Sequence, residues 1–168
     1  AYGLDVDPDG NAFICGWSSL TWGTPVNNYG AGPDGFAAKI NNSGVLQWNT
    51  FLGGAEVDVC HSIAVDTGGN VCLVGRSYAT WGFPVNAHAG DADAFAAKLN
   101  SSGVRLWNTF LGSSGGDEGS AVAVDASGNL YVVGSSGATW GTPVSPFAGG
   151  VTDPIEGDAY AAKLDTNG

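Results

Sequence analysis

Apolar and polar residues alternate in short runs along this chain, and clusters of Gly, Asn, Asp and Ser separate the runs. In the run from Tyr2 to Asp7, for example, the apolar residues Leu4 and Val6 stand two positions apart, which is typical of a strand with one buried face. Helix-forming residues seldom follow one another, whereas Val, Phe, Trp and Thr recur between the turn residues. The pattern predicts an all-β protein with many turns.

The pattern occurs three times with a period of 59 residues. Gly-Asn stands at 10, 69 and 128, and Trp-Gly-x-Pro-Val begins at 22, 81 and 140. A period of this length suits a propeller blade that carries one extended loop. We therefore predict three repeat units, residues 1–59, 60–118 and 119–168, in a propeller-like array of four-stranded antiparallel blades.

Each unit is expected to hold four strands, a to d, except that the third unit lacks strand d. The predicted bounds are 2–7, 61–66 and 120–125 for a, 12–15, 71–74 and 130–133 for b, 34–40, 93–99 and 158–164 for c, and 45–52 and 104–111 for d. Strand b is apolar on both faces, so neighbouring blades must cover it on both sides.

The missing strand leaves an unpaired edge that invites pairing with another chain. Closed propellers usually have about four to eight blades, so three units do not easily close a ring. Two alternatives stay open. The chain is a segment of a longer protein, or copies of it associate.

Four motifs recur in the units: Asp-x-x-Gly-Asn before an apolar strand, Pro-Val, Asp-Ala-Phe-x-Ala-Lys-Leu-Asn-x-x-Gly, and Leu-Trp-Asn-Thr-Phe-Leu-Gly. Together they resemble a known bacterial family, the SBBP β-propeller repeat. The resemblance implies a propeller fold on a secreted or cell-surface protein, often beside other extracellular modules. It brings no catalytic residues with it, because the motif consists of turn and packing positions.

The net charge of the chain limits the classes of molecule that it is expected to bind. The formal net charge is −11, and Lys and Arg together number only 5. Nucleic acids and anionic membrane surfaces both require clustered positive charge, so neither is an expected partner. No apolar run approaches the roughly 20 residues that span a bilayer, so membrane insertion is not expected.

The three lysines of the chain, Lys39, Lys98 and Lys163, all occupy the same position of strand c. A residue this rare, placed only at one repeated position, predicts a structural ion pair in every unit. Three repeated acidic sets are possible partners: Asp7, Asp66 and Asp125; Asp34, Asp93 and Asp158; or Asp58 and Asp117. The second set, at the start of strand c, is the pairing we predict.

Other residues are candidates for ligands. Asp5, Asp7 and Asp9 precede Gly10 with the spacing that opens a calcium loop, although the closing Glu is absent and a plain Asp-Gly turn is the alternative. Trp22, Trp81 and Trp140 lie in the b–c loops, where they either plug the end of a blade or stack on sugar rings. Asp153 and Glu156 differ between units and are candidates for a contact specific to the third unit.

These observations predict a non-enzymatic, extracellular or cell-surface protein with a structural or adhesive role, and no cofactor apart from the calcium considered at Asp5. Its expected partners are flanking blades or other copies of itself. The alternative is a carbohydrate-binding module that uses the loop tryptophans to bind polysaccharide.

Overall fold

Eleven strands form three antiparallel sheets in the computed structural model, which describes residues 1–148 and 157–168. The first sheet has the order β1 (Gly3–Val6), β2 (Ala12–Ser18), β3 (Asp34–Ile40), β4 (Leu46–Leu52). The second has the order β5 (Asp58–Val65), β6 (Val71–Ser77), β7 (Asp93–Leu99), β8 (Arg105–Leu111). The third has three strands, β9 (Asp117–Val124), β10 (Leu130–Ser136) and β11 (Asp158–Leu164). Within the described ranges there is no helix, and hence none that is long and apolar enough to cross a membrane.

The all-β, propeller-like prediction is confirmed, with repeated blades of four, four and three strands. Most strand ends lie within one residue of the predicted bounds, but the three b strands continue three residues further, to Ser18, Ser77 and Ser136. In addition, β5 and β9 begin at Asp58 and Asp117, three residues earlier than predicted. The expected unit boundaries at 59/60 and 118/119 therefore fall inside these two strands. The pairing of β5 with β6 shifts register between Cys60 and Ser62. Such a bulge interrupts the period of two and hides the true start of the strand from the sequence pattern.

The second blade lies between the other two, and its strand β7 is buried along its whole length. One hydrophobic cluster joins the first and second blades, with Phe13, Leu73 and Phe95 at its centre. A second cluster joins the second and third blades. Ala96 and Ala97, one on each face of β7, are fully buried, so their small side chains let both neighbouring sheets approach closely.

The long loop between strands b and c, here called the b–c loop, returns along the outer edge of strand d. In the first blade the Val26 N–H donates to the Asn49 carbonyl at 2.8 Å, and the Phe51 N–H donates to the Asn27 carbonyl at 3.2 Å. The loop thereby satisfies backbone groups that an open sheet edge would leave exposed. The second blade repeats this arrangement.

Candidate functional site

Two of the three repeated lysines tie strands together at the blade interfaces. The Lys98 ammonium lies 3.4 Å from the Asp66 carboxylate, and it also donates to the Gly128 carbonyl of the third blade at 3.4 Å. Lys39 lies 3.8 Å from Asp7 in the same way. Lys163 is exposed, and its ammonium lies over the ring of Tyr131 at 5.1 Å.

The aspartates that receive these lysines also hold the a–b turns. Burial acts to raise the pKa of Asp66, but hydrogen bonds from Asn70 and the charge of Lys98 outweigh it and hold the pKa below its usual value. In the first blade the side chain of Asn11 and the nearby Lys39 lower the pKa of Asp7. Both carboxylates are therefore ionised and committed to the scaffold at neutral pH.

The predicted pairing of the lysines with Asp34, Asp93 and Asp158 was wrong. Each of these aspartates is the first residue of strand c, and the lysine stands five residues further on, about 17 Å along an extended strand. Their carboxylates instead accept backbone N–H groups of the b–c loop, from Gly30 at 2.5 Å, Ala89 at 2.6 Å and Ala148 at 2.6 Å. They fasten the loop to the blade rather than neutralise a lysine.

Two carboxylates from neighbouring blades meet at each junction between blades. The sequence analysis did not predict this contact. Asp34 and Asp58 come together around Gly53, where an added Cβ would lie 2.7 Å from Asp34 Oδ1 and 2.5 Å from Asp58 Oδ2. Asp93 and Asp117 meet in the same way around Gly112. The sequence does contain a pattern that could have predicted the contact: a glycine directly follows strand d, and an aspartate stands five residues after that glycine.

Burial raises the pKa values of the junction carboxyls Asp34, Asp58 and Asp93. The pKa of Asp58 rises to about 6, chiefly because the group is desolvated and to a lesser extent because Asp34 lies nearby. Desolvation also raises the pKa values of Asp34 and Asp93. Asp34 Oδ1 and Asp58 Oδ1 are buried without a hydrogen-bond partner, so the ionised pair is an unfavourable feature of the interface.

The carboxylates of the candidate calcium loop do not converge on one point. Asp5 accepts the Val65 N–H of the second blade at 2.8 Å, and Asp7 accepts the Asn11 side chain at 2.7 Å. Asp9 is exposed. Over residues 1–148 and 157–168 no group of three His, Cys, Asp or Glu side chains is arranged to hold a metal ion. Asp7 holds the a–b turn and Asp5 makes a contact between blades, and calcium binding at this loop stays a prediction.

The loop tryptophans pack against the aromatic residues of their own blades. Trp81 is 4% exposed, and its ring meets those of Phe95 and Phe110 edge to face at 5.3 and 5.9 Å. Trp22 and Trp140 are partly buried and make the equivalent contacts with Phe36 and Tyr160 at 5.4 and 5.2 Å. Trp81 presents no face to solvent, so sugar stacking stays a prediction for the other two.

The two remaining candidates, Asp153 and Glu156, lie outside the described residues. The three cysteines, Cys15, Cys60 and Cys72, are buried free thiols. Burial raises the pKa of Cys60, with a further contribution from the neighbouring Cys15, and burial raises that of Cys72 to about 12. A thiol with a raised pKa is a poor nucleophile, so Cys60 and Cys72 serve as core side chains.

The third blade leaves its outer face open. We call this its back face, the face that each of the first two blades turns towards the blade that follows. Tyr131 and Val133 on this face are 43% and 46% exposed. The equivalent residues are fully buried, Phe13 and Cys15 in the first blade and Cys72 and Val74 in the second.

The first blade leaves the opposite side open, here called the front face. Leu4 and Val6 are 65% and 57% exposed on it, whereas the equivalent of Leu4 in the second blade, Ile63, is 5% exposed. In the second blade the first blade covers this face. The two ends of the array thus display the two complementary halves of the interface that is used inside it.

One family of known proteins resembles part of this chain. Residues 106–139 match the SBBP family, described as a beta-propeller repeat. The matched segment is similar to an SBBP repeat. It runs from β8 of the second blade through β9 and β10 of the third, so the SBBP repeat begins at strand d of one blade and ends after strand b of the next. No curated protein matches the sequence significantly.

Proposed function

We propose that this chain is a structural, non-enzymatic SBBP repeat module of a secreted or cell-surface protein, and that further blades cover its two open faces. The observation that carries the proposal is the complementarity of those faces. The back-face positions that are exposed in the third blade are fully buried in the first two blades, and the front-face position of Leu4 is buried in the second blade, where Ile63 occupies it.

The exposed side chains fit this role chemically. Leu4 and Val6 on one face, and Tyr131 and Val133 on the other, are large and apolar, and they stand at positions that the alternation of a strand assigns to a core. Exposed apolar patches on folded proteins mark surfaces that bind other proteins. A front face that meets a back face is a heterologous contact, which continues from copy to copy until a ring closes.

The polar groups of the repeat support a structural rather than a catalytic role. The buried lysine Lys98 is held by Asp66, and Asp66 also binds Asn70. The cysteines are buried, and His61 contacts Glu118 of the next blade at 3.3 Å. These groups are engaged in holding strands and blades together. The resemblance to SBBP proteins supports the secreted or cell-surface location.

The proposal can be tested with two blocked variants. Leu4→Lys with Val6→Lys blocks the front face, and Tyr131→Lys with Val133→Lys blocks the back face. We expect the unaltered chain to associate with rising concentration in analytical ultracentrifugation, and each blocked variant alone to stay monomeric. A mixture of the two variants should form dimers only, because one supplies an intact back face and the other an intact front face.

The control is Val144→Lys, which changes a fully exposed loop residue outside both faces and should associate like the unaltered chain. An unaltered chain that stays monomeric up to millimolar concentration would contradict the proposal. So would blocked variants that fail to form dimers when they are mixed.

A further inference from the structure

Two cysteines face each other across the junction between the first and second blades. Cys15 lies in β2 and Cys60 in β5, and both are fully buried in the hydrophobic cluster that joins these blades. The Cys15 thiol is the neighbouring group that acts on the Cys60 thiol, as a hydrogen-bond partner and through its charge. The two residues are 45 positions apart along the chain, so the packing of the blades brings them together.

The next junction shows how close these two positions are. Val74 and Gly119 stand 59 residues after Cys15 and Cys60, and Gly119 precedes a strand bulge as Cys60 does. A Cβ added to Gly119 would lie 3.1 Å from the Val74 Cβ. A disulfide joins Cβ atoms about 3.5–4.5 Å apart. The two facing positions are therefore close enough for one S–S bond.

The neighbouring residues of the first blade leave room for two sulfur atoms. Gly35 lies beside Cys60, and a Cβ on Gly35 would lie 3.6 Å from the Cys60 Cβ. At the next junction Ala94 takes the place of Gly35, and a glycine takes the place of the cysteine. Gly3 pairs with Cys15, and a Cβ on Gly3 would lie 2.7 Å from the Cys15 Sγ. The first blade thus omits a side chain next to each of the two cysteines.

Cys72, the remaining cysteine, lies out of reach of this pair. Cys72 stands opposite Ala64 in the pairing of β5 with β6, whereas Cys60 stands opposite Gly75, three residues further along β6. Three residues of an extended strand span about 10 Å. The charged groups that act on the Cys72 thiol are a lysine and an aspartate of its own blade. The structure thus distinguishes one pair of cysteines from a single thiol.

We propose that Cys15 and Cys60 form a disulfide bond that joins the first blade to the second when the chain folds in oxidising surroundings, and that Cys72 stays a thiol. The oxidant is a small-molecule disulfide. Secreted and cell-surface proteins fold in surroundings of this kind. The pairing itself follows from the geometry of the junction between two blades, so it does not depend on the structural role proposed above.

The bond forms by two successive exchange reactions. The thiolate of one cysteine attacks the small disulfide, which gives a mixed disulfide and releases one small thiolate. The thiolate of the other cysteine then attacks the protein sulfur of the mixed disulfide, forms the Cys15–Cys60 bond and releases the second small thiolate. The two protons that the cysteines lose pass to the released thiolates. The cysteine pair loses two electrons, and the small disulfide gains them.

The exchange takes place during folding rather than in the folded protein. Both thiols are fully buried once the blades have docked, and burial raises the pKa of Cys60, so the folded protein offers the oxidant no reactive thiolate. Before the blades dock, both cysteines are in contact with water. The bond closes a loop of 45 positions, which restricts the unfolded chain and thereby stabilises the folded one.

The test refolds the whole chain from denaturant with a mixture of oxidised and reduced glutathione, and in parallel with an excess of a reductant. The remaining thiols are alkylated with N-ethylmaleimide in denaturant and counted by mass spectrometry. We expect one alkylated cysteine after refolding with glutathione and three after refolding with the reductant. The oxidised chain should melt about 5–10 °C higher than the reduced chain, because the disulfide restricts the unfolded state.

Two variants identify the pair. Cys72→Ala should still form the disulfide, with no alkylated cysteine and the same rise of the melting temperature. Cys15→Ala should form no disulfide and should melt at the same temperature after either refolding. Three alkylated cysteines in the unaltered chain after refolding with glutathione would overturn the proposal. So would a disulfide that includes Cys72, a disulfide that forms only between two chains, or glutathione attached to the cysteines in place of an internal bond.

Discussion

The ammonium group of Lys98 and the carboxylate of Asp66 lie 3.4 Å apart with only 7% and 9% of their side chains exposed. Lys98 belongs to strand c and Asp66 to the a–b turn of the same blade, and the lysine also reaches the Gly128 carbonyl of the next blade. The pair therefore joins two non-adjacent parts of one blade to a neighbouring blade. The equivalent lysine of the third blade, Lys163, has no blade beyond it among the described residues and is exposed.

Replacement of Lys98 by Met should lower the free energy of unfolding by about 3–5 kcal/mol, because Asp66 is left as a buried charge without its counterion. Chemical denaturation measures the change. Lys163→Met is the matched control, and it should leave the free energy of unfolding nearly unchanged because that lysine is exposed. Adding Asp66→Asn to Lys98→Met should recover part of the loss. Equal stabilities of the two single variants would argue against an interior ion pair.

Asp58 should make stability depend on pH in the mildly acidic range. Its pKa is about 6 in the folded protein against 3.8 as the reference value, so the folded state binds the proton more tightly. The contribution of Asp58 to the free energy of unfolding is fully present below about pH 4, near its reference pKa. It is lost as the pH rises through about 6, its pKa in the folded protein. Asp58→Asn should therefore raise the free energy of unfolding at pH 7 by about 1–3 kcal/mol.

The pH dependence of the melting temperature measures this effect. The gain from Asp58→Asn should shrink towards pH 4, where the aspartate is neutral in both states. Asp9→Asn removes one negative charge from an exposed turn residue and serves as the control for net charge. A gain that is as large at pH 4 as at pH 7 would show that desolvation of Asp58 is not the cause.

Gly75 should not tolerate a side chain. It lies opposite the bulge of β5, and a Cβ at this position would lie 1.9 Å from the Val59 carbonyl oxygen and 2.9 Å from the Cα of Cys60. Because these are backbone atoms, Gly75→Ala forces the two strands apart and should cost about 3 kcal/mol or prevent folding. Gly116→Ala is the control, since a Cβ there meets nothing within 4 Å. The melting temperatures of the two variants should be compared by thermal unfolding. If Gly75→Ala is as stable as Gly116→Ala, the two strands can move apart without a large cost in stability.

Loss of the Trp81 side chain should be much more costly than loss of Trp140. Trp81 is buried between Phe95 and Phe110, so Trp81→Ala should lower the free energy of unfolding by about 3–5 kcal/mol. Trp140 meets Tyr160 but no Phe of a fourth strand, so Trp140→Ala should cost less. If polysaccharide binds at the loops, Trp22→Ala and Trp140→Ala should weaken that binding. Binding that these two variants leave unchanged would exclude the loop tryptophans as a sugar site.

The sequence alone determined the strands and their repetition. An apolar residue at every second position and Asp or Asn with Gly at the turns are local signals, and they hold wherever the chain lies in space. Leu4, Ile63 and Val122 could therefore be assigned to equivalent faces, and all eleven strands were predicted. The bulge at Cys60 and Ser62 was not predicted, because a bulge breaks the alternation on which the prediction depends.

The tertiary structure decided which charged groups meet. Lys98 and Asp66 are 32 positions apart along the chain, and Asp34 and Asp58 belong to different blades. A residue that is repeated at one position indicates a shared role. Because three sets of aspartates repeat together with the lysines, the periodicity does not show which set pairs with them. The distance along strand c separates Asp93 from Lys98 and leaves Asp66 as the partner. The exposure of Leu4 and Tyr131 was likewise settled by packing, since a residue is buried only when another blade covers it.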